Sequence, residues 1–219
     1  MNFVSDPSLV LYLPLYRPDG SPFMSRDAYG HLCTVTGALW RPNGRSFDGD
    51  DFINCGQPSV LDFTPQADPF SVMAWVKTTS AASEAILAKG YNPGTASYQY
   101  YIFGHAAGYV GSFLGGTYSA GTANIKDGSW HLVAITVPAA SSGLVIYVDG
   151  NADTFSSGDG SIGGDTNGMD VLVGARRNTN NANTTSFFNG SVGEVWIYSR
   201  VLTPLEIQHN YLATKWRYQ

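Results

Sequence analysis

The stretch Ser129-Trp130-His131-Leu132-Val133-Ala134-Ile135-Thr136-Val137 is followed, after a short Pro/Ala/Ser/Gly loop, by Leu144-Val145-Ile146-Tyr147-Val148-Asp149-Gly150. Both runs are short, rich in β-branched and aromatic side chains, and bounded by turn formers, as β-strands are. Asp149-Gly150 closes the second run, and Asp-Gly suits a tight type I′ hairpin because both residues tolerate positive φ. Just upstream, Asn124-Ile125-Lys126-Asp127-Gly128 turns the chain into the first run in the same way. The segment reads as antiparallel β-structure.

The same punctuation extends in both directions. It predicts strands at residues 9–15, 32–36, 45–47, 52–55, 70–78, 85–89, 98–103, 109–114, 130–137, 144–148, 171–174 and 193–198. Strand starts about 8–14 residues apart point to a two-sheet sandwich rather than to βαβ units. No internal repeat or composition shift divides the chain, so residues 1–219 read as one all-β domain. One short helix is predicted at the end. Thr203-Pro204-Leu205-Glu206 is a capping box with proline at the first helical position. Leu205, Gln208 and Leu212 then share a side, with Ile207 and Tyr211 adjacent, as a helix lidding an edge of the sandwich would place them.

Composition narrows the function classes. Charged residues are 13% of the 219, against about 25% in an average globular protein. Hydrophobic residues at 43% suffice for a core. Twelve basic against 17 acidic residues, a net charge of -5, leave no surplus for phosphates and disfavour a nucleic-acid partner. The longest apolar stretch, Leu9 to Tyr16, contains Pro14 and falls short of the roughly 20 residues a spanning helix needs, so no membrane insertion is expected. Cys33 and Cys55 have neither metal-finger nor disulfide-framework spacing. They read as one bridge or as two small buried residues, the second reading being favoured. The opening Met1-Asn2-Phe3-Val4-Ser5-Asp6 has no charged n-region and no apolar h-region, which reads as no secretory signal.

Five segments, in order, carry a family resemblance. They are Leu9-Val10-Leu11-Tyr12-Leu13-Pro14-Leu15, Phe47-Asp48-Gly49-Asp50-Asp51-Phe52-Ile53, Phe70-Ser71-Val72-Met73-Ala74-Trp75-Val76, the Trp130-His131 to Asp149-Gly150 pair, and the closing Phe188-to-Thr203 run around Gly193-Glu194-Val195-Trp196. Together they resemble laminin-G-like domains of the concanavalin A-like lectin-glucanase superfamily. The resemblance implies a jelly roll of two antiparallel sheets, an extracellular or virion-associated setting, and a structural calcium ion near the start of the domain.

For that ion, Arg26-Asp27-Ala28-Tyr29-Gly30 matches the family's first calcium element, making Asp27 and Gly30 the candidate metal residues. The second element departs from the pattern, because Gly193 stands where the family has aspartate. Calcium wants six to eight oxygens with carboxylate charge among them. Asp27 reads equally as an Asx-turn residue bonding its own backbone. Asp48, Asp50 and Asp51 read as ordinary turn chemistry.

Catalysis finds little support. Glycosidases of this fold set carboxylates two residues apart on a strand, so that they face one cleft. The three glutamates, Glu84, Glu194 and Glu206, form no such run, and no nucleophile elbow is visible. His131 reads as a structural strand residue. Sugar recognition instead needs flat rings and planar polar groups. Two segments are rich in these, residues 91–101 with four tyrosines, and the polar loop 176–185 with adjacent arginines. From them Tyr98, Tyr100, Arg176, Arg177, Asn178, Asn180 and Asn181 are the candidate ligand-binding residues. The leading expectation is a non-catalytic module that binds a glycan or glycosylated surface. The alternative is a structural or protein-interaction domain working among other subunits of a phage or cell-surface assembly. A glycoside-active enzyme on the same fold comes third.

Overall fold

A computed structural model describes residues 6–90, 98–163, 169–179 and 183–219. In chain order the strands are β1 (Leu9–Pro14), β2 (Phe23–Met24), β3 (Leu32–Thr36), β4 (Leu39–Arg41), β5 (Gly44–Asp48), β6 (Phe52–Asn54), β7 (Phe70–Lys77), β8 (Glu84–Gly90) and β9 (Tyr98–Gly104). They continue with β10 (Val110–Leu114), β11 (Thr117–Ala120), β12 (His131–Val137), β13 (Val145–Val148), β14 (Asn151–Ala152), β15 (Val171–Val173), β16 (Arg176–Thr179), β17 (Asn183–Thr185) and β18 (Asn189–Tyr198). Helix α1 (Pro204–Thr214) closes the fold, followed by a 3-10 turn, Lys215–Arg217.

The first sheet has the order β14-β13-β12-β7-β18-β5-β4, with β1 also on β18. The second runs β11-β10-β9-β8-β15-β6-β3-β2, and β16 and β17 make a separate ribbon. The hairpin read from the sequence forms as expected. Val148 pairs with Asn151 across a two-residue turn whose Asp149 and Gly150 have φ of 51° and 82°. A Cβ at Gly150 would meet Gln208 and Tyr211 at 3.2 Å, so glycine also lets the hairpin tip lie against α1.

Side-chain alternation divides the first sheet between two apolar layers. Val72, Ala74, Val133, Ile135, Val195 and Ile197 enter the core between the sheets. Met73, Trp75, Leu132, Ala134, Trp196 and Tyr198 point the other way, into a second cluster with Ile207 and Tyr218. The helix therefore covers the outer face of the first sheet, not an edge of the sandwich. Its buried side also differs from expectation, being Ile207, Asn210 and Thr214, while Leu205 is 76% exposed and Leu212 53%. The sheet below explains this choice. The Trp75 indole N–H donates to Thr214 Oγ1 at 2.9 Å, and Thr214 Oγ1 donates to the Asn210 carbonyl at 2.7 Å. Thr214 is thus buried where a tryptophan needs an acceptor, and the Asn210 amide donates to Met73 Sδ at 3.5 Å. The capping box is present, with Arg200 clamping Glu206 and holding its carboxyl down to about 2.

Cys33 and Cys55 are buried free thiols with sulfurs 2.9 Å apart. Glu194 sits under the last residues of the chain. Its carboxylate accepts from Tyr12 at 2.7 Å and Tyr218 at 3.1 Å, and pairs with Arg217 at 2.5 Å.

His131 is a strand residue whose ring lies between two carboxylates, Nδ1 2.8 Å from Asp149 and Nε2 3.1 Å from Asp127. These bonds, that to Asp149 foremost, raise its pKa above the ordinary value of 6.5. A raised folded-state pKa gives stability that is fully present below the unfolded value and is lost as pH rises through the folded one. Thermal melts are expected to show Tm falling as pH climbs from about 6 through the upper end of this window. His131→Gln should flatten that slope; an unchanged slope would assign it to other groups.

Candidate ligand-binding site

Among the described residues no helix lies on the outer face of the second sheet, and its strands β8 to β11 present a different surface. In β9, Lys89 pairs with Tyr100 and Gly90 with Tyr98, so Gln99 is an extra residue on that strand. Such a bulge resets alternation. Tyr98 and Tyr101 consequently share the outer face with Phe103. Tyr100 is not brought there; it turns into the core against Phe63 and Phe70, fully buried.

The outward rings pack into a continuous layer in which Tyr98, Tyr101 and Phe103 are buried against their neighbours and Phe113 and Tyr118 are half-buried. Tyr98 and Tyr101 have centroids 4.9 Å apart, Tyr101 and Phe103 4.7 Å, and Phe113 and Tyr118 5.1 Å. Gly111 faces Phe103 across the β9–β10 pair, and a Cβ there would meet that ring at 2.5 Å. Glycine at this position lets the ring lie flat over the backbone. Above the floor is an open depression of about 410 Å³, edged by Ser83, His105, Arg176 and Ser186. Its volume falls within the range of small-molecule sites. Burial raises the phenol pKa of Tyr98 and Tyr101, against the opposing pull of Arg176. Both therefore act as neutral hydroxyl donors and acceptors at ordinary pH.

Arg176 reaches the depression from β16. The segment expected as a loop is a hairpin ribbon in its described part, with Arg176 opposite Thr185 and Arg177 opposite Thr184. Alternation sends the two arginines apart. Arg176 donates from Nε to Ser186 Oγ at 2.9 Å and from Nη1 to the Tyr98 hydroxyl at 2.6 Å. Arg177 instead pairs with Asp170, which also accepts from Asn54 and Gln57. Asn178 is exposed, and Asn180, Asn181 and the 91–97 tract lie outside the described residues. Of the seven residues the sequence suggests, the structure brings Tyr98 and Arg176 together. Tyr101, Phe103, Phe113 and Tyr118 escape the sequence reading as ligand-face residues. Plain alternation from Tyr98 would place Tyr100 beside it rather than Tyr101 and Phe103, so the bulge at Gln99 hides them from the sequence.

The Asp27 turn forms a different kind of site. Asp27 Oδ1 accepts from Tyr29 N and Gly30 N at 2.9 and 3.1 Å, and Oδ2 accepts from Tyr12 N at 3.0 Å. This is an Asx turn extended to a neighbouring strand, with Gly30 at φ 63°. At Gly193, a Cβ would meet the Tyr218 ring at 2.5 Å, so Tyr218 fills the space a longer side chain would take. One carboxylate already bonded to three N–H groups does not fit the charged oxygen shell of calcium. Asp48, Asp50 and Asp51 place carboxylate oxygens within 4.8 Å of one another. Asp48 raises the Asp50 pKa by hydrogen bonding and like charge, and Asp51 is tied to the Asp48 backbone.

A layered antiparallel sandwich, open on one face and helix-covered on the other, is a concanavalin-type jelly roll. The family model for the concanavalin A-like lectin/glucanases superfamily matches residues 47–208, and the chain belongs to that superfamily. No curated protein matches it in sequence. Among solved structures it is similar to Trypanosoma rangeli sialidase in complex with sialic acid, with TM-score 0.70 and 18% identity over 98% of this chain and 34% of the sialidase. It is also similar to the binding domain of botulinum neurotoxin DC in complex with rat synaptotagmin II, with TM-score 0.71 and 13% identity over 94% and 51% of the two chains. The chain thus spans about a third of the sialidase and half of the toxin domain. At such identity the likeness shows the fold.

Proposed function

We propose that this chain is a non-catalytic binding module that takes carbohydrate on the outer face of its second sheet. The observation that carries the reading is the ring layer under the depression, where the half-buried Phe113 and Tyr118 lie on the buried Tyr98, Tyr101 and Phe103, edged by a fixed guanidinium and hydroxyls. Apolar C–H faces of a pyranose stack on rings, and its hydroxyls pair with such an edge. The groups lining the depression are hydroxyls, one imidazole and one guanidinium among the described residues. Two-carboxyl glycoside hydrolysis draws on other groups. A calorimetric panel of sugars is expected to show weak binding that Phe113→Ala weakens by roughly 2- to 13-fold, one ring contact being worth about 0.5–1.5 kcal/mol. Absence of binding at millimolar sugar would overturn the reading.

Calcium enters no step of this proposal. Melting in chelator and in added Ca²⁺ is expected to give the same Tm, because Asp27 serves the backbone. A clear rise with Ca²⁺ would restore the ion to this turn.

The protein-interaction reading draws on one observation, the outward stripe Leu205, Leu212 and Trp216 on α1 and the turn after it. Apolar surface of this kind is used for association between proteins. Concentration-dependent sedimentation, unaffected by sugars, would favour it over the glycan reading.

A further inference from the structure

Arg176 does more than edge the depression. It is a half-buried cation, and none of the ion pairs formed among the described residues involves it. Its neighbour Arg177 is paired with Asp170, and Arg200 and Arg217 with Asp6 and Glu194. Yet Arg176 is held firmly. Ser186 and Tyr98 each take one of its N–H groups, and the guanidinium carbon lies 5.8 Å from the ring centroids of both Tyr98 and Tyr101.

The residue that fixes its Nε is itself unusual. Ser186 has φ 53°, a left-handed conformation that non-glycine residues seldom adopt, while its carbonyl accepts from Ala85 N at 2.8 Å. Strain of this sort persists where surrounding structure enforces it. On the same rim, His105 Nδ1 accepts from Ala107 N at 3.0 Å, which leaves its proton on Nε2 as a second donor. The depression thus presents donors and one positive charge, in a chain of net charge -5, and no carboxylate among the described lining residues.

Guanidinium prefers planar, charged acceptors. A carboxylate takes two parallel N–H···O bonds from its fork, and charge-assisted bonds are roughly twice as strong as neutral ones. We propose that the depression selects a sugar ring bearing a carboxylate, with the ring on the aromatic floor and the carboxylate on Arg176. This inference rests on the carbohydrate-binding reading of the same site and names its substrate class.

The test is calorimetric titration of the whole chain with two matched pairs. One is methyl glucuronoside against methyl glucoside; the other is the methyl glycoside of N-acetylneuraminic acid against its methyl ester. The acid of at least one pair is expected to bind about tenfold tighter than its neutral mate, about 1.4 kcal/mol. That preference should shrink as salt rises from about 50 to about 500 mM. Which pair responds distinguishes a uronate from a sialate. Arg176→Lys keeps the charge without the fork, and Arg176→Gln removes both. Each variant, once its melt matches the parent, is expected to bring the affinities of acid and neutral mate closer together, Arg176→Gln more than Arg176→Lys. Should a variant not fold, the paired ligands and salt series on the parent chain still decide. Equal binding of acid and neutral mate overturns the carboxylate assignment and leaves carbohydrate binding standing. Absence of binding by either overturns both. Glucose 6-sulfate binding as tightly as the glucuronoside overturns carboxylate in favour of any anion.

Discussion

Trp75→Ala is expected to destabilise the fold by about 3–5 kcal/mol, the range for deleting a buried aromatic with partial collapse of the cavity. Trp75 is 2% exposed at the centre of the layer between the first sheet and α1. It stacks on Tyr218 at 4.4 Å and Tyr211 at 5.7 Å, and it donates to Thr214. Alanine would remove the contact that seats both the helix and the chain end, and would leave the Thr214 hydroxyl without its donor. In a domain of this size 1 kcal/mol shifts Tm by about 2–4 °C, so a drop on the order of 10 °C is anticipated. Trp75→Phe keeps most of the buried ring and should lose markedly less. Denaturant unfolding followed by circular dichroism measures both; a loss below about 1 kcal/mol for the alanine variant would mean the outer layer contributes little to the cooperative unit.

Glu194→Ala is the second large effect, expected at about 2–4 kcal/mol. Removing one partner of a buried ion pair typically costs about 3–5 kcal/mol, reduced here because Arg217 is 18% exposed and can turn to water. Three groups converge on this carboxylate, the hydroxyls of Tyr12 and Tyr218 and the guanidinium of Arg217. Burial outweighs these bonds and lifts the Glu194 carboxyl above its usual range. The cluster is therefore weak as a source of net stability but intolerant of losing its centre. Arg217 also lies 3.9 Å over the Tyr16 ring, so the variant should loosen the last residues more than the sheets. Hydrogen exchange would show this as faster opening of β1 and the C-terminal turn. Uniform opening across both sheets would contradict the local assignment, and Glu194→Gln, which keeps an acceptor, should fall between parent and alanine.

Much of the architecture is legible from residue order because strands declare themselves locally. A run such as Phe70-Ser71-Val72-Met73-Ala74-Trp75-Val76 has the right composition whatever it packs against, and Asp149-Gly150 needs only its own φ preferences to turn. Short polar strands do not declare themselves. Arg176 and Asn183 belong to a ribbon because their backbones pair, and nothing in an Asn/Thr-rich stretch signals that. The helix start was readable from Thr203-Pro204-Leu205-Glu206, whereas its buried side was not. Leucine at 205 and 212 suggests one face, but Thr214 turns inward to accept from Trp75 and Asn210 turns inward to donate to Met73 Sδ.

The candidate site divides in the same way. Residue types alone marked Tyr98 and Arg176 as suited to a ligand, since rings and guanidinium carry that chemistry wherever they stand. One extra residue at Gln99 then decided that Tyr101 rather than Tyr100 joins them, and a glycine beneath Phe103 decided that the floor is flat. Sequence determined the longer apolar strands, the Asp149-Gly150 turn and the helix start, because these depend on near neighbours. Only the tertiary structure decided which rings face outward, which of the adjacent Arg176 and Arg177 pairs with a carboxylate and what Asp27 holds. Those outcomes depend on register between strands distant in the chain, and a single-residue shift exchanges the two faces of a sheet.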